Sequence, residues 1–443
     1  MPSELTQYCI SGAGAAEIVA SVERGIEGGA LAPGAPLPAV RALATELGVS
    51  PTTVAAAFKD LRSRGLIVTR SRSGAYVSWR PPLARAWLGA VAPAGVRDLA
   101  SGNPDLELLP DLSPVFKRIE PSRQLYGGDP VDPRLLGLAR EEFDRDGIAA
   151  EDIVVTSGAL DGVERALQAQ LQPGDVVAVE DPGFAGLFDL LRTLGLALRP
   201  IPLDARGMIP SALAEALEEG VDAVIVNPRG QNPTGASLDE PRAVALRRIL
   251  DRAPDVMVLE DDHLGPIAGA PRLTLTGGRR HWATARSLAK SLGPDLRMAI
   301  LAGDAQTISR VRGRQAVGPG WVSMLLQRMS ATLWADPDVT KGLEGATAVY
   351  RKRRERFVAA LAEHGIAVEA PTGLNVWIPV PDETGIVQAL QTTGWAVAPG
   401  APFRLRAGPA IRVTISTLKP AEADSLATSI AAALQPSHRT RPA

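Results

Sequence analysis

Five short apolar runs constrain this chain more than any other feature. Ile153–Val155, Val176–Val179, Ala223–Val226, Val256–Leu259 and Met298–Leu301 are continuous rather than alternating, as strands buried on both faces should be. Helical stretches lie between them. The expected fold class is therefore α/β, a mostly parallel central sheet covered by helices. Such a sheet gathers ligands beyond the carboxyl ends of its strands, and the polar and small residues stand there. Thr156-Ser157-Gly158-Ala159 follows the first run, EDPGF (180–184) the second and NPRGQNPTG (227–235) the third. Glu260-Asp261-Asp262-His263 follows the fourth, and Ser287-Leu288-Ala289-Lys290 and Arg297 come just before the fifth.

The chemistry of this set suits pyridoxal 5'-phosphate. A small-residue turn opening a helix presents backbone N–H groups to a phosphate, which Ser157, Gly158 and Ala159 would do, with Ser287 and Arg297 as further donors. An aldehyde cofactor needs one amine for a Schiff base, supplied by a buried or cation-flanked lysine. The chain has only six lysines. Five sit in charged or solvated contexts (FKDLRS, FKRIE, TKGLEG, RKRRER, TLKPAE), and Lys290 alone follows an apolar pattern. A carboxylate facing the pyridine nitrogen keeps it protonated as an electron sink, and Asp261 is the candidate.

Composition sets the remaining bounds. With 443 residues, 45% hydrophobic and 22% charged, the chain reads as a soluble globular protein of two or three domains. One cysteine, Cys9, excludes a disulfide framework or a cysteine-built zinc site, and four scattered histidines without HExxH argue against a histidine metal site. No metal is expected. No apolar run approaches the roughly 18 residues of a membrane span, and MPSELTQYC lacks the pattern of a secretory signal. A cytoplasmic protein without a membrane partner is expected.

A net charge of −2 speaks against nucleic acid, yet it hides a split. Residues 1–80 carry eight Arg/Lys against six Asp/Glu, and residues 59–80 hold six basic residues against Asp60 alone. Ile18, Val19, Val22 and Ile26 predict a first helix, closed by Gly28-Gly29. Val40, Leu43, Ala44 and Leu47 predict a second, ending at Gly48. Ser50-Pro51 is an N-cap followed by a first-turn proline, and Val54, Ala57, Phe58 and Leu61 predict a third helix. Leu66–Val68 and Ala75–Val77 then read as two strands around RSRSG. This is the outline of a winged helix-turn-helix, although a small helical docking module would share it. The expected organisation is a winged helix-turn-helix at 1–78, a linker at 79–100 and the α/β body at 101–435. The body divides into a large part to about 315 and a small C-terminal α+β part from about 316.

Residues 31–77, LAPGAPLPAVRALATELGVSPTTVAAAFKDLRSRGLIVTRSRSGAYV, resemble the GntR-type DNA-binding domain over its whole length. The resemblance implicates Arg41, Ser50, Thr52 and Thr53 around the recognition helix and Arg70, Arg72 and Gly74 in the wing. Pro51 departs from the pattern and cannot donate. SGNPD, YGGDP, TSGAL, EDPGF, NPRGQNPTG, EDDH, SLAKSLGPDLR and GLNVW, in this order, look like a PLP-dependent aminotransferase of fold type I. The whole chain thus resembles the MocR-family transcriptional regulators, nearest the branch associated with vitamin B6 salvage.

That resemblance implies Lys290 for the Schiff base, Asp261 for the ring nitrogen and Asn232 for the ring hydroxyl. It implies Ser287, Arg297, Gly158 and Ala159 for the phosphate, with Tyr126 reaching it from the other subunit of a homodimer. Arg412, in PAIRVTIST, matches an arginine that grips the carboxylate of a substrate or effector. There are departures. His263 and Phe184 stand where tyrosines are usual, Leu160 replaces a polar residue in the phosphate turn, and Gly230 replaces a histidine. Phe184 can still stack and His263 can still hydrogen-bond, so the losses weigh against efficient transamination more than against cofactor binding. The implied function is a regulator that binds double-stranded DNA and senses PLP, or PLP plus an amine effector. A working aminotransferase with a DNA-binding head is the alternative, and a scaffold without cofactor a third.

Overall fold

The computed structural model describes residues 8–27, 30–32, 34–63, 66–70, 74–78, 93–119 and 125–435. The chain divides into two compact units, 1–85 and 86–443.

In the first unit, helices α1 (Ala15–Glu27), α2 (Val40–Leu47) and α3 (Pro51–Ser63) are followed by a hairpin of β1 (Ile67–Arg70) and β2 (Gly74–Val77). The apolar positions read from the sequence make its core. Ile18, Val19 and Val22 of α1 cluster with Leu43 and Ala44 of α2 and with Val54, Ala57, Phe58 and Leu61 of α3. The Thr53 amide donates to Ser50 Oγ at 3.1 Å, which satisfies one of the orphan donors at the start of α3. The hairpin register pairs Ile67 with Val77 and Arg70 with Gly74. Gly28-Gly29, Arg72 and the side chain of Arg70 lie outside the described residues.

The second unit holds β3 (Arg97–Asp98), β4 (Asp152–Thr156), β5 (Val176–Asp181), β6 (Ala197–Asp204), β7 (Gly207–Met208), β8 (Ala223–Val226), β9 (Met257–Asp262), β10 (Trp282–Ser287) and β11 (Ala299–Gly303). Among the described residues, eight of these form one sheet in the order β4-β11-β10-β9-β8-β5-β6-β7. From β10 through β9, β8 and β5 to β6 every pairing is parallel. Strand β11 runs antiparallel to β10 and to β4, and β7 is antiparallel to β6. Both faces are covered, and alternation sorts the side chains. Val177 and Val179 enter one core cluster while Ala178 enters another, and Val154 parts from Ile153 and Val155 in the same way. The five predicted runs are all strands.

Toward the C-terminus, β12 (Asn375–Pro379), β13 (Trp395–Ala396), β14 (Ala398–Pro399) and β15 (Ala410–Thr414) follow. Strands β12, β15 and β14 make an antiparallel three-stranded sheet. The helices Pro337–Glu363, Glu383–Thr392 and Ala423–Leu434 pack their apolar faces on the same core. One expectation changes here. The linker set at 79–100 runs too far, because Arg97–Asp98 is a strand parallel to β13 and Leu99 is buried in the C-terminal core. The small part therefore takes residues from both ends of this unit. Proline and alanine richness concealed the strand, whose pairing partner lies some three hundred residues away. Among the described residues no helix is long and apolar enough to cross a membrane.

Candidate cofactor and effector site

Strand β4 ends at Thr156, and the chain turns through Ser157 and Gly158 into the helix Ala159–Gln170. Gly158 has φ +104, and an added Cβ would lie 3.1 Å from Arg297 Nη2. Glycine thus serves twice, for the left-handed turn and for the close approach of the guanidinium. Arg297 itself takes φ +44, which aims it back at the turn from the segment before β11. Ser287 ends β10, its Oγ accepting the Ala289 amide at 3.2 Å. Ser287 pairs in register with Ala299 and Ala299 with Thr156, so a helix N-terminus, an arginine and a serine stand at the same end of neighbouring strands, an arrangement suited to an anion.

Lys290 follows on the one-turn helix Ala289–Leu292, its Nζ donating to the Gly102 carbonyl at 2.7 Å. Gly102 has φ +67, and a Cβ there would lie 3.3 Å from Arg412 Nη2. That packing explains the glycine of SGNPD. Burial, helped by the Arg412 charge, lowers the Lys290 amine to about 8. Arg412, on β15, is buried and lowered to about 10 by desolvation. It donates from Nη1 to Asn232 Oδ1 at 3.1 Å and from Nη2 to the Ala100 carbonyl, and it stacks 4.4 Å over the Phe403 ring. Its buried Nε has no partner among the described residues.

Strand alternation divides EDDH. Asp262 points to a buried network in which Arg229 (2.9 Å), Arg286 (3.1 Å) and Arg272 (3.5 Å) surround it. Arg286 also pairs with Glu142 and Asp146, and Arg272 with Glu260. These arginines hold the Asp262 carboxyl far below its usual value despite burial. Asp261, on the opposite face, is not so compensated. Burial first, then the neighbouring Asp262 charge, pushes it up to about 7, and its Oδ1 has no partner.

Phe184 stands at the start of the helix Ala185–Thr193 and packs by Phe403, Ala398 and Trp377. Tyr126 is 93% exposed, edge-on to Trp321 at 5.6 Å, and does not join the other site residues within one chain. In the first unit Arg41 and Thr52 are exposed, whereas the Thr53 hydroxyl pairs with Ser50 Oγ at 2.8 Å. Thr53 is thus engaged in capping. Ser50→Ala should cost the head about 1 kcal/mol, measured by thermal unfolding. Thr52→Ala should leave stability unchanged and shift sequence preference in a DNA selection.

Sequence reasoning missed two groups. Asn227 and Glu180 stood only within the NPRGQNPTG and EDPGF motifs, with no role of their own. The Asn227 amide nitrogen donates to Glu180 Oε2 at 3.2 Å, and Asn227 Nδ2 donates to the Asp261 carbonyl at 2.7 Å. Glu180 is pushed up to about 8 by burial, with Oε1 unpartnered. Both acids bind a proton more readily folded than unfolded, so the cofactor-free protein should lose stability as pH rises from about 4 through 7–8. Urea melts of Glu180→Gln and Asp261→Asn should show that slope reduced. An unchanged slope would contradict the assignment.

The fold and site define a class: a winged helix-turn-helix head on a fold-type I aminotransferase body. The family description for aminotransferase class I and II matches residues 95–430, and that for bacterial regulatory proteins of the gntR family matches residues 15–77. The chain belongs to the MocR-type transcriptional regulators, which join these two parts. It is 40% identical over 429 residues to the vitamin B6 salvage pathway transcriptional repressor PtsJ of Salmonella typhimurium, covering 96% of this chain and 99% of that one. It is 29% identical over 433 residues to the HTH-type transcriptional regulator TauR of Rhodobacter capsulatus, covering 86% and 88%. Among solved structures, the kynurenine aminotransferase of Pyrococcus horikoshii superposes with TM-score 0.72 at 22% identity, over 79% of this chain and 93% of that one. That likeness concerns the fold.

Proposed function

We propose that this regulator acts in the cytoplasm as a homodimer whose heads grip double-stranded DNA and whose bodies bind pyridoxal 5'-phosphate. The cofactor, alone or with a carboxylate-bearing amine, is the effector, and vitamin B6 salvage is the controlled process. The observation that carries the reading is that a neutralisable amine, an unpartnered buried carboxyl oxygen and a helix N-terminus with an arginine beside it all stand at one end of the sheet's central strands. The residues fit the group. Asp261 Oδ1 lacks the partner that a protonated ring nitrogen would give it. Ser157, Gly158, Ala159, Ser287 and Arg297 would hold the phosphate, Asn232 and His263 the ring oxygen, and Phe184 the ring face. Bound there, the cofactor supplies an aldehyde that condenses with primary amines and a ring that draws electrons from them.

The chain's own residues do the rest. Lys290 is kept partly neutral near physiological pH, ready as a nucleophile. Arg412 offers a buried cation to a carboxylate, with Nε to spare. Exposed Leu125, Tyr126, Val317 and Leu325 favour a second copy covering them, with Tyr126 reaching the partner's phosphate site. The name of the Salmonella relative supports vitamin B6 salvage as the controlled process. A switch requires only that the effector bind two conformations unequally, without turnover. The discriminating assay is steady-state and single-turnover transamination over an amino-acid panel. The reading expects at most slow single turnovers. Sustained turnover unaffected by deleting residues 1–80 would favour an enzyme.

A further inference from the structure

The side chain of Asn227 bridges two groups of the site. Its Nδ2 donates to the Asp261 carbonyl at 2.7 Å, an atom that can only accept, and this fixes which end of the amide is nitrogen. The same Nδ2 lies 3.5 Å from His263 Nδ1, where its second hydrogen is free to point. Two donors cannot be satisfied face to face, so Nδ1 is the acceptor and the imidazole proton resides on Nε2. Among the described residues no protein group meets Nε2. Asn227 is itself anchored, its backbone amide bonded to Glu180.

The charged surroundings act in the same sense. Burial and the Lys290 charge disfavour the imidazolium, Asp262 only partly offsets them, and the ring is lowered to about 4. Asp261, two residues before His263, is largely uncharged below about 7. The imidazole is thus a neutral donor beside Lys290.

We propose that Asn227 locks His263 in the Nε2–H tautomer, making it a fixed hydrogen-bond donor to the ring oxygen that neighbours the aldehyde of bound pyridoxal 5'-phosphate. The chemistry selects that oxygen. The ring nitrogen belongs to Asp261 and the phosphate to the Gly158 corner, so the acceptor nearest an aldehyde placed at Lys290 is the oxygen on the adjacent ring carbon. Asn227 is then a positioning residue, acting through His263, which discriminates ligands by that oxygen. His263 does in this chain, without an ionisable hydroxyl, what a phenol would otherwise do. The inference rests on the cofactor reading above, and its test separates the two.

The first arm uses histidine-labelled, cofactor-free full-length protein. Long-range 1H–15N correlation spectra between pH 6 and 8, with His263→Phe for assignment among four histidines, should show protonated Nε2 and bare Nδ1 at His263. A proton on Nδ1, or on both nitrogens, would overturn the proposal whatever the ligand. The second arm measures dissociation constants for pyridoxal 5'-phosphate and for its analogue lacking the ring hydroxyl. Wild type should favour the hydroxyl form by about tenfold, His263→Phe should lose most of that preference and keep only what Asn232 supplies, and His263→Gln, which keeps an N–H donor, should recover part of it. Equal preference in wild type and His263→Phe would overturn the proposal while leaving cofactor binding intact. Failure of wild type to bind either compound would instead overturn the cofactor reading, and with it the proposed donor role.

Discussion

Asp262→Ala should destabilise the body by about 3–5 kcal/mol, the cost of removing one partner from a buried ion cluster. The structure gives the loss a location. Arg286 would retain Glu142 and Asp146, and Arg272 would retain Glu260. Among the described residues Arg229 would keep the Ala270 carbonyl at 3.4 Å and no ion pair, a buried guanidinium with Glu142 as a more distant counter-charge. Asp262→Asn should recover part of the loss, because the amide oxygen still accepts a hydrogen bond. Because the arginines lower the folded pKa of Asp262, its contribution is complete at neutral pH. It is lost as pH falls below the ordinary carboxylate range. Equilibrium urea unfolding of the full chain at pH 7 and at low pH measures both effects. Equal midpoints for wild type and Asp262→Ala at pH 7 would contradict the role given to this cluster.

Lys290→Ala should abolish covalent retention of pyridoxal 5'-phosphate. After borohydride reduction and digestion, mass spectrometry should find wild-type cofactor on the Lys290 peptide and none on the variant. The variant should still bind the phosphate weakly and reversibly, since Ser287, Arg297 and the Gly158 turn are untouched. Capture should rise with pH through about 8 as the amine becomes neutral. Label on another lysine, or capture independent of pH across that range, would remove Lys290 from the site.

The sheet was largely legible because apolar continuity is a local signal. Three of its strands were not, the two-residue β7 among them. Strand β10, WATARS, carries Thr284 and Arg286 into a buried ion cluster, so its polar letters mask a strand that is itself buried. Strand β6, ALRPIPLD, is broken in pattern by two prolines and lies only partly buried toward the edge. Lys290, Asp261 and Arg412 could be found by motif and by scarcity of lysine. Asn227 could not, since its value lies in the carbonyl and imidazole that strand neighbours bring to it. The division of Asp261 from Asp262 was available from period-two alternation alone, had the strand been extended through EDD. The distant pairing of Arg97–Asp98 with β13 carries no local signal at all.

In the proposed switch, cofactor occupancy in the body changes the affinity of the head for DNA. The switch is tested most directly by DNA affinity, using duplexes selected by this protein from genomic DNA, with and without pyridoxal 5'-phosphate. Coupling of ordinary size would shift the wild-type dissociation constant by about 5- to 150-fold, and Lys290→Ala should show little or no shift. Wild-type protein that retains the cofactor on Lys290 yet binds the same duplexes equally in both conditions would contradict the account.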